Sequence, residues 1–161
     1  MSMASIFRGA KFVAVFAAAL AIGACAKQNA DQSTMAGAAV PGSPQDFVVN
    51  VGDRVFFDTD SSELSEQARA TLDKQAQWLA NYNRYAVTLE GHADERGTRE
   101  YNIALGARRA ETVRQYLVSR GIPAQRMRTI SYGKERPVAV CNDISCWSQN
   151  RRVVTVLDQS S

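Results

Sequence analysis

The stretch from Tyr85 to Arg120 constrains the fold more than any other. Tyr85-Ala86-Val87-Thr88-Leu89-Glu90-Gly91 alternates apolar and polar side chains, the period of a strand with one buried face. A charged loop, His92-Ala93-Asp94-Glu95-Arg96-Gly97, leaves its C-terminal end. A helix then runs from about Tyr101 to Arg120, with Ile103, Ala107, Ala110, Val113 and Leu117 as its buried stripe. Gly121-Ile122-Pro123 reads as its stop, with Gly at C′.

The remaining elements fall around this unit. Arg54-Val55-Phe56-Phe57-Asp58 is a short run of strand formers ended by the polar turn Thr59-Asp60-Ser61-Ser62. Leu64, Ala68, Leu72, Ala76 and Leu79 recur at helical spacing behind Ser65 as N-cap, with Glu66 in the first turn and Trp78 near the end. Met127 to Tyr132 and Arg152 to Leu157 complete the strands. The order β-α-β-α-β-β predicts an α+β fold, a mixed sheet with its helices packed on one face. Of 161 residues, with 45% hydrophobic and 22% charged, one ordinary globular domain is expected, over residues 47–161. The net charge of +3 is small and its Lys and Arg are scattered, so composition does not argue for nucleic acid.

The first residues are different in kind. Arg8 and Lys11 open a segment whose apolar run, Phe12 to Ile22, is too short for a comfortable membrane span, and Gly23-Ala24 lead into Cys25. Residues 1–24 are read as a removable secretion signal, the alternative being an uncleaved anchoring helix. Ile22-Gly23-Ala24-Cys25 resembles the bacterial lipobox, which implies lipidation of Cys25 and several acyl chains, enough for stable anchoring. Ala26 in place of Asp resembles the sorting signal for the outer membrane. From there to Gln45 the chain is small, polar and without periodicity, so residues 25–46 are expected to be the lipidated cysteine and a flexible tether. A coil of that length has an r.m.s. span of roughly 25 Å and a stretched reach of about 65 Å.

Helical phase singles out one arginine. Asn102, Leu105 and Arg109 lie at i, i+3 and i+7 and share a face, whereas Arg108 points about 100° away. Asp94 in the loop therefore stands across from Arg109. That pair suits a ligand carrying an ammonium and a carboxylate on one carbon, the guanidinium taking the carboxylate by two parallel hydrogen bonds. The pattern equally allows Asp94 and Arg109 to pair with each other as a structural ion pair. On the ligand reading, replacing either by Ala abolishes binding and leaves the thermal midpoint nearly unchanged.

Residues 52 to 158 carry a resemblance. Gly91-His92-Ala93-Asp94-Glu95-Arg96-Gly97, Tyr101-Asn102, Leu105, Arg109-Ala110, Ser131-Tyr132-Gly133-Lys134-Glu135 and Asn150-Arg151-Arg152-Val153 together resemble the OmpA-like peptidoglycan-binding domain family, and within it the lipoproteins of the Tol-Pal system. The resemblance implies a ligand, the diaminopimelate-containing stem peptide of uncrosslinked peptidoglycan. It implies that Asp94 and Arg109 are the ligand pair, that Asn102 and Arg151 are further polar positions, and that Phe57, Asp58, Thr59 and Asp60 form a wall. Ala93 stands where many members have Thr, which leaves a backbone contact but removes a hydroxyl one. It further implies a non-enzymatic outer-membrane lipoprotein facing the periplasm, linking membrane to wall, with TolB and other Tol proteins as partners in cell division. A flagellar-stator module of the same family would need a true membrane span instead of the lipobox.

Other chemistry finds little support. His92, the single histidine, lacks partners at metal-ligand spacing and reads as a structural hydrogen-bonder. Asp58-Thr59-Asp60-Ser61-Ser62 opens like a calcium loop, but Glu63 holds the glycine position and Arg69 the closing glutamate position. No metal or cofactor is expected. No nucleophile elbow or phosphate loop is visible, and the alternative reading, a periplasmic lipoprotein enzyme acting on peptidoglycan fragments, has no machinery to point to. Cys141 and Cys146 are close enough to close a small loop in an oxidising compartment, as a disulfide holding the turn that presents Asn150-Arg151-Arg152, or else stay as free thiols. Trp147 beside them reads as packing.

Overall fold

The computed structural model describes residues 39–159, so the expected signal segment, Cys25 and most of the tether lie outside the described residues. In chain order the elements are α1 (Pro44–Asp46), which runs into a π-helical segment (Phe47–Val51), β1 (Arg54–Phe56), α2 (Glu66–Asn81), β2 (Tyr85–His92), α3 (Arg99–Ser119), β3 (Met127–Gly133), α4 (Ile144–Asn150) and β4 (Arg152–Gln159). The four strands form one mixed sheet in the order β1-β4-β2-β3. β4 runs antiparallel to both β1 and β2, and β2 and β3 are parallel, joined by α3 as the crossover that parallel neighbours require.

The two long helices start where the sequence can cap them. The Ser65 hydroxyl accepts from the Ala68 N–H at 3.2 Å, and the Thr98 hydroxyl from the Tyr101 N–H at 3.2 Å. α3 ends with Gly121 at φ 92°, Ile122 N–H donating to Leu117 at 3.0 Å and Gly121 N–H to Val118 at 2.9 Å, which is a Schellman stop. Alternate residues of β2, Tyr85, Val87 and Leu89, point to the helix side and are buried with Leu72, Leu79, Val113 and Leu117. A polar pair buried in this core is satisfied: Thr155 donates to the Gln75 side chain at 2.8 Å, which donates in turn to the Gly52 carbonyl at 2.7 Å. On the opposite face Thr88 donates to Asp158 at 2.6 Å, and Ile130 and Phe56 stay largely exposed.

One contact fixes where α3 crosses the sheet. A Cβ on Gly91 would overlap the Gly106 carbonyl, and one on Gly106 would overlap the Ser131 hydroxyl. Backbone touches backbone there, so the N-terminal half of α3 lies directly over the end of β2. Asn102, Leu105 and Arg109 are thereby brought to the loop after β2.

Three differences from the sequence expectation have physical reasons. The folded unit begins at Ala39, several residues before Phe47. The end of the expected tether is pinned: the Gly42 carbonyl accepts from the Tyr85 hydroxyl at 2.9 Å, and Asp46 accepts from the Trp78 indole at 2.8 Å. The regular part of the first strand stops at Phe56, although Phe57 N–H still donates to the Arg151 carbonyl at 2.9 Å. The short helix α4 is too brief to show periodicity, and only its cap, Asp143 accepting from Ser145 N–H at 2.7 Å, marks it.

Candidate functional site

β2 ends in a register shift between Gly91 and His92, and the Ala93 N–H donates to the Gly133 carbonyl at 2.8 Å. Ala93 is buried, and its main chain orients the next residue, Asp94. The loop turns at Gly97, whose φ is 88°, a conformation that glycine adopts without strain. Lys134 staples it from outside, its ammonium donating to the carbonyls of Glu95 at 3.2 Å and Gly97 at 2.6 Å. The Asn102 amide does the same from α3, donating to the carbonyls of Arg96 at 2.7 Å and Thr98 at 3.1 Å.

Asp94 is 6% exposed and is held by arginines. Arg96 grips both of its oxygens, Nε to Oδ1 at 3.0 Å and Nη2 to Oδ2 at 2.7 Å, and its backbone N–H adds a bond of 3.2 Å. Arg151 reaches Oδ2 at 3.4 Å while its Nε donates to the Phe57 carbonyl at 2.9 Å. Burial alone would raise the Asp94 carboxyl, but the Arg96 hydrogen bonds and charge, helped by Arg151, hold it below the usual carboxylate range.

Arg109 is fully buried. Its donors go to three carbonyls: Nε to Ser61 at 2.8 Å, Nη1 to His92 at 2.9 Å and Nη2 to Asp58 at 3.0 Å. The Phe57 ring lies 5.2 Å from its guanidinium carbon. Burial first, then the charge of Arg151, push it down to about 10, so it remains a cation at neutral pH. The direct Asp94–Arg109 ion pair that the pattern allowed is not formed, since Asp94 pairs with Arg96 and Arg151. Arg109 also ties three stretches of chain together, so its removal is expected to lower the midpoint, against the sequence expectation of no change.

Between the loop and α3 opens a recess of about 260 Å³. Thr59 and Asp60 form one wall, Tyr101, Asn102 and Leu105 the other, and Asp94 with Arg96 and Gly97 closes the base. The Tyr101 hydroxyl donates to the Asp60 carboxylate across its mouth. Arg109 lies one turn beyond Leu105 on the same helix face, as the phase argument requires. Asp58 contributes its carbonyl to Arg109 and turns an exposed side chain outward.

Two features escaped the sequence reading. Arg96 was visible in the loop but nothing marked it as the partner of Asp94, apart from the i+2 spacing that lets a side-chain carboxylate cap its own turn. Trp147 comes from α4: its indole donates to Glu95 at 3.1 Å and its ring carries the Arg96 guanidinium at 4.2 Å. Cys141 and Cys146 are joined as a disulfide, Cα–Cα 5.6 Å, at the start of that helix. Asn150 at its other end closes the loop, accepting from Val138 N–H at 2.8 Å and donating to the Ala139 carbonyl at 2.7 Å. His92 is not the hydrogen-bonder expected: it is buried, neither ring nitrogen has a hydrogen-bond partner, the Glu90 carboxylate stands 4.0 Å from Nε2, and the ring lies 5.6 Å from that of Tyr132. Among the described residues no group of three metal-ligating side chains is placed to hold an ion, and no helix is long and apolar enough to cross a membrane.

A four-stranded mixed sheet with its long helices on one face, and a charged recess where the central strand meets the longer helix, defines a small α+β module. Residues 56–151 match the OmpA family, and the chain belongs to that family. It is 62% identical over 160 residues to the peptidoglycan-associated lipoprotein of Rhizobium meliloti, covering 96% of this chain and 91% of that protein. The protein of the same name from Agrobacterium fabrum is 65% identical over 146 residues, 86% of this chain and 82% of that one. Among solved structures, the peptidoglycan-associated lipoprotein of Burkholderia pseudomallei superposes with a TM-score of 0.68 at 39% identity, over 72% of this chain and all of that chain. The C-terminal domain of Helicobacter pylori MotB shares the fold, with a TM-score of 0.63 at 20% identity, over 68% of this chain and 86% of that chain.

Proposed function

We propose that this chain is an outer-membrane lipoprotein that binds peptidoglycan non-covalently and so ties the membrane to the wall. The ligand is the diaminopimelate-containing stem peptide, whose free end is a zwitterion. The observation that carries the reading is the recess whose lining includes a nearly buried carboxylate, Asp94, with the buried cation Arg109 one helical turn beyond the lining residue Leu105. The relatives named above support it by their name, the first of them over 96% of this chain. Asp94 receives the ammonium, Arg109 with Arg151 supplies the donors for the carboxylate, and Asn102, whose amide hydrogens go to the Arg96 and Thr98 carbonyls, holds the loop that forms the site. Each charge-assisted bond contributes about 1.5–3 kcal/mol before desolvation. Phe57, Asp58 and Ala93 serve through their main chain and by holding the arginines. Cys25 carries the lipid, and TolB and other Tol proteins are the protein partners.

The test is co-sedimentation of the protein with purified sacculi, competed by soluble meso-diaminopimelate, for wild type, Asp94→Asn and Arg109→Lys. Wild type sediments and both variants stay in solution. Sedimentation of both variants at the wild-type level refutes the site. Fractionation of cells carrying the full chain tests the anchor: Cys25→Ser leaves the outer-membrane fraction, and retention there refutes lipidation at that residue.

A further inference from the structure

We infer that Arg96 is a built-in substitute for the ligand's ammonium, and that its release from Asp94 sets the affinity and selectivity of the recess. The inference rests on the reading above and concerns the same site. The carboxylate that has to receive an ammonium is already occupied by a cation from its own loop, through two hydrogen bonds of 3.0 and 2.7 Å. A ligand therefore does not enter a vacant acid; it exchanges one cation for another.

Of the two arginines on Asp94, the geometry decides which one leaves. The Arg151 side chain is 7% exposed and fastened to the Phe57 carbonyl at 2.9 Å. The Arg96 side chain is 41% exposed, and its other polar contact, the Thr59 hydroxyl, is long at 3.5 Å. Its main chain is fixed, because the Asn102 amide holds the Arg96 carbonyl at 2.7 Å and the Arg96 N–H holds Asp94 Oδ1 at 3.2 Å. The side chain can thus swing away while Asp94 keeps its position. The Trp147 ring, fixed by its bond to Glu95, already lies 4.2 Å from the guanidinium carbon while Arg96 holds Asp94, so movement of Arg96 off the carboxylate alters that contact.

The apparent affinity of such a site is its intrinsic affinity times the fraction of molecules with Arg96 released. The pair has one exposed partner, Arg96 at 41%, and one nearly buried one, Asp94 at 8%, so holding it closed lowers the affinity by about two- to tenfold. It still discriminates. A simple diamine offers an ammonium and nothing for the arginine donors, so it does not displace Arg96, whereas the zwitterion gains bonds at both ends.

Calorimetric titration of the full-length protein with a purified muropeptide ending in meso-diaminopimelate, and separately with cadaverine, tests this, alongside tryptophan emission. Wild type binds the muropeptide and not cadaverine, and Trp147 emission changes on binding; Trp147→Phe, which leaves buried Trp78, loses that change. Arg96→Gln binds the muropeptide about two- to tenfold tighter, gains measurable cadaverine binding and shows no emission change. Equal or weaker muropeptide binding by a folded Arg96→Gln overturns the inference alone. If that variant does not fold, the wild-type emission decides, and an unchanged Trp147 signal at saturation overturns it. Wild type that binds no muropeptide removes the proposed function and this inference together.

Discussion

Arg109→Ala is expected to cost fold stability before it costs anything else. The guanidinium is fully buried and bonds carbonyls from Ser61 and Asp58, in the loop after β1, and from His92, at the end of β2. Truncation orphans three acceptors at about 1–3 kcal/mol each, and water reaching the exposed loop around Asp58 restores part of that, which leaves a loss of about 3–5 kcal/mol. Against a total of about 5–15 kcal/mol for a domain this size, that is a large share. It corresponds to a fall of roughly 12–20 °C in the melting midpoint, read by circular dichroism. Arg109→Lys keeps the charge but loses the fork and falls by about half as much. A midpoint for Arg109→Ala within about 2 °C of wild type would refute the argument that this side chain ties the recess together. Because binding and folding fail together in Arg109→Ala, Asp94→Asn is the cleaner test of ligand contact.

Gly106→Ala forces a Cβ into the Ser131 hydroxyl and the Gly91 carbonyl, and is expected to lower stability by about 1–3 kcal/mol in denaturant melts; an unchanged midpoint argues against the close crossing of α3. Reducing the Cys141–Cys146 bridge releases a loop with sequence separation 5 and, on the chain-entropy model, removes about 2 kcal/mol; full alkylation without reductant shows instead that the thiols are free. His92 is pushed down to about 4 by burial and by the charges of Arg152 and Arg136. The unfolded chain takes up that proton near pH 6.5 and the folded one does not, so stability falls as pH drops from 6.5 toward 4, by roughly 3 kcal/mol in all; His92→Gln flattens this slope, and an unchanged slope refutes the assignment. Muropeptide affinity falls as salt rises because the exchanged charges at the mouth are screened, and a flat titration points to an apolar contact.

Much of the scaffold was legible because two periods are hard to confuse. β2 alternates with period two and α3 repeats at helical spacing over a long run, so their joint and the shared face of Asn102, Leu105 and Arg109 followed from phase, although the expected buried stripe held only at Ala110, Val113 and Leu117: Ala107 is exposed and Ile103 half-buried. What Arg109 bonds did not follow. Its carbonyl partners Ser61 and Asp58 lie 48 and 51 residues earlier in the chain, and a carbonyl carries no side-chain signature. The same holds for Trp147, which meets Glu95 across 52 residues from a helix too short to announce itself. The start of the folded unit was missed because Gly42 and Asp46 look like linker residues until Tyr85 and Trp78 are seen to bond them.

The protonation states around the recess favour holding a ligand over transforming one. Proton transfer wants a group poised near the working pH, and the groups here are driven away from it. Asp94 is held below its ordinary range by Arg96 and Arg151 and remains an anion. Arg109, though lowered to about 10 by burial, remains a cation. His92, whose carbonyl binds Arg109, is the one imidazole in the chain, and burial with two neighbouring arginines keeps it neutral down to about 4. Static charges of both signs, unmoved over a wide range about neutral pH, are what the proposed binding of an unaltered zwitterion calls for.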